Sequence, residues 1–329
     1  MQLIKNQTNS TVYGDALLKI GQVDPRVVVL DADLARATQT GLFQKAFPDR
    51  YFDVGIAEQN LLSVAAGLAL SGKLPFAATF ANFVTKRACD QINIGSAYTR
   101  ANVRIVGVEP GLSSGRNGAT HQSVDDLAIM RAIPNMTVID PADATEIDQI
   151  VRLSLVWQGP IYMRMQRGDI PLIFDPQTYQ AQIGKGVVVA EGKDICLLST
   201  GTMTPTAVKV VELLKGQQLT AGLAHFHTVK PIDIPLIREL ARTYSAFVTC
   251  ENHSVMGGFG SAVAEVCAAY HPMPIEFVGI ADCFGETGST AYLNKKFGLD
   301  EEAMIKAVYR ALARIKEEHH ENCHVGNHV

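Results

Sequence analysis

The sequence predicts an α/β protein made of two three-layer α/β/α units. Short runs rich in Val, Ile and Phe alternate with longer helical patterns, the spacing expected of βαβ units. Those runs are apolar almost throughout instead of alternating, as strands are when helices cover both faces of a mainly parallel sheet. A chain of 329 residues, 47% hydrophobic, has material for about two domains with buried cores.

In the first unit, residues 1–175, the strand-like runs are Arg26–Asp33, Tyr51–Gly55, Leu74–Phe80, Val103–Glu109, Met136–Ala142 and Ile161–Arg167. Periodicity lapses between Gly168 and Gly184, where two prolines interrupt any helical stripe, so the connection between the units falls there. The second unit, residues 184–316, offers Ile195–Thr200, Ala221–His227, Ala246–Glu251 and Glu276–Ile280 as strands. Asp300 can cap a closing helix whose Met304, Val308, Ala311, Leu312 and Ile315 form one apolar stripe. Residues 317–329 read as a flexible tail: His320, His324 and His328 recur at helical spacing, but Gly326 and Asn327 argue against a continued helix.

A formal charge of −4, with no long basic run, gives no footprint for nucleic acid or an anionic membrane, so small-molecule chemistry is favoured. The opening MQLIKNQTNS lacks the apolar core of a signal peptide, and every apolar stretch is broken before it could span a bilayer; a cytoplasmic protein is expected. Six cysteines without CxxC or regular spacing do not suggest a disulfide framework.

Three segments in the first unit carry chemistry. In Asp53-Val-Gly-Ile-Ala-Glu-Gln-Asn60 a strand gives way to a small-residue helix, and Glu58 stands at the junction. The C-terminal edge of a parallel sheet is where open α/β folds bind ligands, although a helix start accepts a glutamate for its charge alone. An aromatic segment, Ala78-Thr-Phe-Ala-Asn-Phe-Val-Thr-Lys-Arg-Ala-Cys-Asp-Gln-Ile92, and a Gly118-Ala-Thr-His-Gln122 loop follow. In the second unit, Glu251-Asn-His-Ser-Val-Met-Gly-Gly-Phe-Gly260 stands out.

Taken in order, these segments resemble the transketolase family and the related 1-deoxyxylulose-5-phosphate synthases over nearly the whole chain. The resemblance implies a pyrimidine-binding fold of thiamine-diphosphate enzymes followed by a transketolase C-terminal domain. It also implies transfer of a two-carbon ketol unit between sugars. By this resemblance Glu58 hydrogen-bonds N1′ of the cofactor's aminopyrimidine, and Phe80 and Phe83 line the pyrimidine pocket, with Phe83 the stacking ring. Asp33 matches an acidic position near the cofactor at a subunit interface; a turn or capping aspartate is the alternative. His121 would face the substrate's carbonyl and hydroxyl and stabilise developing oxyanion charge. Arg167 would grip a distal phosphate, with Arg164 a lesser candidate on the opposite face of the strand.

The pattern also breaks. Asn117 stands where the family's loop carries an aspartate that meets a substrate hydroxyl, and Ser10, Ala37 and Glu109 replace an arginine, a serine and a histidine that help hold sugar phosphate. Together these changes point to a substrate outside the ordinary pentose-phosphate set, such as a branched ketose phosphate or a sulfonated sugar. The Gly-Asp-Gly with a downstream Asn that binds Mg²⁺ and diphosphate in the family is not in the sequence. The resemblance therefore implies a partner, an N-terminal transketolase subunit carrying the diphosphate and Mg²⁺ site, most simply in a two-fold α₂β₂ assembly.

Alternatives are a β subunit of a 2-oxoacid dehydrogenase, which the THQ loop and the Phe80/Phe83 segment fit less well, and a non-catalytic scaffold. Gly258-Phe-Gly260 also prompts a dinucleotide-binding reading, weakened by Val263 at the third glycine position.

Overall fold

The computed structural model describes residues 12–166 and 172–325, with side chains as far as residue 315 at the C-terminal end. The strands, in chain order, are β1 (Val27–Asp31), β2 (Tyr51–Asp53), β3 (Leu74–Phe80), β4 (Arg104–Val108), β5 (Thr137–Ile139), β6 (Ile161–Met165), β7 (Val187–Ala190), β8 (Ile195–Ser199), β9 (Ala221–His225), β10 (Thr228–Lys230), β11 (Phe247–Ser254) and β12 (Ile275–Ile280). They form one sheet ordered β10-β5-β6-β4-β3-β1-β2 and a second ordered β12-β11-β8-β9-β7. All pairs are parallel except β10 with β5 and β7 with β9. This is the two-unit α/β architecture expected from the apolar runs.

Helices cover both faces, which explains why β1, β3, β4 and β6 are buried along their whole length. One face of the first sheet packs Leu17, Ile20, Ile147, Ile150 and Val151 against Val27, Val29 and Phe76. The opposite face buries Leu61, Leu62 and Ala65 of the helix Glu58–Leu70 in a core that continues into the second unit through Leu198, Phe226, Phe247 and Phe259. The two units thus share apolar interior. The closing helix starts as its cap requires: Asp300 Oδ1 accepts from Ala303 N at 2.9 Å, and Met304, Val308 and Ala311 are buried.

Several expectations need correction. Two strands have no counterpart among the expected runs. The first, β7, is an edge strand with little burial, and β10 lies beside prolines and crosses from the second unit to complete the first unit's sheet against β5. The expected strand Met136–Ala142 contracts to Thr137–Ile139, and just beyond its end Asp140 N donates to His227 O at 2.8 Å. The final helix runs through Val325, beyond residue 316 where a tail was expected to begin, so His320 and His324 have helical backbone. His328 lies outside the described residues. Among those described, no helix is long and apolar enough to cross a membrane.

Candidate active site

The first sheet delivers its chemistry at one edge. Asp33 follows β1, Glu58 follows β2, Phe80 ends β3 and Glu109 follows β4, so all stand at the C-terminal ends of neighbouring parallel strands. Such an edge is open because the chain turns into helices there, leaving side chains at the strand ends without a neighbouring layer.

Glu58 occupies the first turn of its helix, where the unpaired N–H groups favour negative charge, and is only 4% exposed. Its Oε1 accepts from Arg87 Nη1 at 3.0 Å. The Arg87 guanidinium lies 3.8 Å from the centroid of Phe83, four residues earlier on the same helical segment, where a cation–π contact is favourable. Phe83 meets Phe80 edge-on at 5.6 Å, and the His121 ring lies 4.9 Å from Phe83 and 5.5 Å from Phe80. Glu58, Phe80, Phe83 and His121 therefore converge on one site although they come from three segments of the chain.

The loop carrying His121 is held from both sides. Within the first unit, Asn82 Nδ2 donates to Thr120 O at 2.6 Å. From the second unit, Asn252 Oδ1 accepts from Leu112 N at 3.1 Å, Glu286 O accepts from Gln122 Nε2 at 2.9 Å, and Gly288 N donates to Gly115 O at 3.0 Å. Gly118 permits the approach: its φ is +78°, and a Cβ would lie 2.7 Å from Thr287 Oγ1. His121 Nδ1 sits 3.0 Å from Thr120 Oγ1, which leaves Nε2 as the ring nitrogen with no hydrogen bond to a described residue. Asn117, on the same loop, is exposed, and its Nδ2 donates to Ser114 Oγ at 3.1 Å.

Asp33 has a φ of +60°, its N–H donates to Asp53 Oδ1 at 3.0 Å and its side chain is exposed at the same edge. Ala37 is partly buried against the first unit's core. Arg167 and Ser10 lie outside the described residues.

Arg164 is not available to a substrate, a correction to its candidacy. It is 1% exposed and gives its donors to Asp126 at 2.6 and 2.8 Å, Asp140 at 3.2 Å and Asn252 O at 3.3 Å. Burial works to raise the Asp126 carboxyl, but the Arg164 charge and its hydrogen bonds outweigh it and hold that group below its ordinary value. Strand alternation put Arg164 on the face opposite Arg167 but could not show that two aspartates of its own unit and a carbonyl of the other awaited it.

The glycines at 258–260 are also structural. Glu251 Oε2 and Oε1 accept from Phe259 N at 2.6 Å and Gly260 N at 2.8 Å, and a Cβ on Gly258 would collide with Glu251 Oε2. The chain's own carboxylate fills the helix start where a dinucleotide's pyrophosphate would sit.

Arg87 and Asn82 escaped the sequence reading. Their signals were present: Arg87 is four residues beyond Phe83, and Asn82 lies between the two aromatic rings.

The fold sets this edge cluster in the first of two joined α/β units, and comparison with known proteins identifies both units. The pyrimidine binding domain of transketolase matches residues 5–172, and the transketolase C-terminal domain matches residues 184–304. The chain belongs to the transketolase family. It is 42% identical over 302 residues to the 6-deoxy-6-sulfo-D-fructose transketolase subunit SqwH of Clostridium sp. (strain MSTE9), covering 92% of this chain and 94% of that one. An apulose-4-phosphate transketolase subunit of Phocaeicola vulgatus (strain ATCC 8482) is 31% identical, covering 89% of this chain and 94% of that one. A solved split gene transketolase, described as an inactive beta4 tetramer, superposes with a TM-score of 0.86 at 43% identity, covering 94% of this chain and 99% of that one.

Proposed function

We propose that the chain is the C-terminal subunit of a two-chain transketolase that moves a two-carbon ketol unit from an anionic ketose to an aldose acceptor. The observation that carries this reading is the buried Glu58 carboxylate beside Phe83, Phe80 and His121 at a single sheet edge. This set suits the aminopyrimidine of thiamine diphosphate: an acceptor for a protonated ring nitrogen, a phenyl ring for the flat face, and a histidine toward the reacting carbon. When bound, thiamine diphosphate supplies the electron sink for cleavage of the ketose.

Within that frame Glu58 holds a proton at the pyrimidine nitrogen, and its buried setting keeps water from competing for the hydrogen bond. Phe80 and Phe83 orient the ring, and Arg87 screens the Glu58 charge. His121, through Nε2, donates to the ketose oxygen on which negative charge develops and passes a proton back to the product. Asp33 lies at the edge offered to the partner. Arg167 is assigned the grip on the distal anion, and Asn117 the contact with a substrate hydroxyl. The diphosphate and its Mg²⁺ are assigned to an N-terminal subunit, in an α₂β₂ assembly.

An anionic ketose with a sulfonate or a branched, phosphorylated skeleton is supported by the altered positions Ser10, Ala37, Glu109 and Asn117. It is supported also by the likeness to subunits named for a sulfosugar and for apulose 4-phosphate. The test is ketol transfer by the purified two-chain complex across fructose 6-phosphate, 6-deoxy-6-sulfofructose and branched ketose phosphates, with Glu58→Ala as control. Turnover of a sulfonated or branched donor, abolished in Glu58→Ala without loss of the fold, is expected. Wild-type-like turnover in that variant would contradict the assignment.

A further inference from the structure

We propose that Glu109 is a positioning residue: acting through Ser114, it fixes the Asn117 amide so that Oδ1, not Nδ2, meets a hydroxyl of the sugar. The inference rests on the transketolase reading of this site and explains two of its departures together.

The relay is short and its polarity is forced. Ser114, 2% exposed, donates Oγ–H to Glu109 Oε2 at 2.8 Å, because a carboxylate can only accept. With its one proton committed, the Ser114 oxygen has only lone pairs left for a second partner. Asn117 can satisfy it only with a donor, and Nδ2 lies 3.1 Å away. The amide is thereby turned so that Oδ1, which accepts from no described residue, is left for the adjoining cavity.

That cavity, about 380 Å³, is lined by Glu109, Ser113, Ser114, Arg116, Asn117 and Thr290. It opens beside the loop that carries His121 four residues later. The backbone supports the arrangement as well. Asn117 N donates to Ser114 O at 2.9 Å, and Glu109 N donates to Met165 O at 3.0 Å. Glu109 itself is held at a φ of +55°, a left-handed conformation that is strained for a side-chain-bearing residue and recurs at functional sites.

The consequence is a specificity element without charge. Asn117 offers the sugar hydroxyl the acceptor that an aspartate would offer, yet places no second carboxylate next to Glu109. An aspartate at 117 would set two carboxylates on one hydroxyl proton. Glu109 and Asn117 are therefore a matched pair, and changing either alone should cost more than changing both.

The experiment is a double-mutant cycle in the two-chain complex loaded with thiamine diphosphate and Mg²⁺, using wild type, E109Q, N117D and E109Q/N117D. Fructose 6-phosphate and 6-deoxy-6-sulfofructose serve as donors. In E109Q/N117D the amide introduced at position 109 can donate to Ser114 Oγ. That frees the hydroxyl proton for the carboxylate introduced at position 117 and leaves the second carboxylate oxygen for the sugar. We expect N117D to lower kcat/KM about tenfold or more, chiefly through KM. E109Q should lower kcat/KM when added to wild type and raise it about fivefold or more when added to N117D. A reduction by E109Q in both backgrounds would overturn the relay.

Melting temperatures of the same four complexes separate this inference from the reading beneath it. If no ketose is turned over but E109Q destabilises wild type while restabilising N117D, the relay stands and ketol transfer falls. Additive melting shifts with no sign reversal, alongside a working enzyme, would remove the relay and leave the transketolase reading intact.

Discussion

A buried carboxylate at a helix start can serve stability or chemistry, and at Glu58 the neighbours support the proposed chemistry. A capping role needs only backbone N–H groups, whereas Glu58 takes a hydrogen bond from Arg87, whose guanidinium covers the Phe83 ring, which in turn touches His121. His121 has its Nδ1 beside Thr120 and its ring packed on both phenylalanines, and the proposed function gives it the substrate side of this group. His121→Ala should slow ketose cleavage by about 10²- to 10⁴-fold, while the thiamine diphosphate dissociation constant of the complex changes by less than about threefold. A selective loss of cofactor binding in that variant would contradict the role. At this scale the sequence was informative where chemistry dictates residue type in a short run, as in Glu58, the Phe80/Phe83 pair and the THQ loop. It was uninformative about Arg164, whose partners Asp126 and Asp140 lie tens of residues away in the same unit and whose third partner, Asn252, comes from the other unit.

Strands and helices show the same division. The long apolar runs announced β1, β3, β4 and β6 because burial on both faces demands them, whereas the three-residue β10 has no local pattern and owes its existence to β5 across the seam. Beside that seam, Glu146 in the first turn of the helix Ala144–Leu153 is fully buried. It accepts from Ala142 N at 2.8 Å and Tyr179 Oη at 2.5 Å, and His225 Nε2 lies 2.9 Å away. Burial alone would raise the Glu146 carboxyl; the charges of His225 and His227 and the His225 hydrogen bond outweigh it and hold it at about 2, against an ordinary 4.5. A folded value below the unfolded one means stability that is present above about pH 4.5 and lost as pH falls toward 2. Neighbouring Asp143, pushed up to about 6 by burial and then by the Glu146 charge, acts in the opposite sense down to its ordinary 3.8. The comparison is therefore sharpest at low pH. Between pH 4 and pH 3 the melting temperature of the wild type should fall more steeply than that of Glu146→Gln, measured by thermal denaturation; parallel slopes would show that Glu146 does not tie the units together electrostatically.

For the whole molecule, the two α/β units and their order were legible because strand periodicity and motif order survive without knowledge of packing. What could not be read was how the second unit serves the first: it supplies β10 to the sheet and, through Asn252, Glu286 and Gly288, braces the loop that carries His121. The loop contacts join residues more than a hundred positions apart and the β10–β5 pairing residues about ninety apart, beyond the reach of local pattern. Beside that site Ile56, two residues before Glu58, is 73% exposed, apolar surface of the kind that a second chain would cover.

In the proposed function this chain supplies the pyrimidine half of a site completed by another polypeptide. The most direct measurement is ketol-transfer rate and thiamine diphosphate binding for this chain alone, for the N-terminal subunit alone, and for the two together with Mg²⁺. Turnover and tight cofactor binding are expected only in the mixture. Full turnover by this chain alone, or by the N-terminal subunit without it, would contradict a site shared between the two.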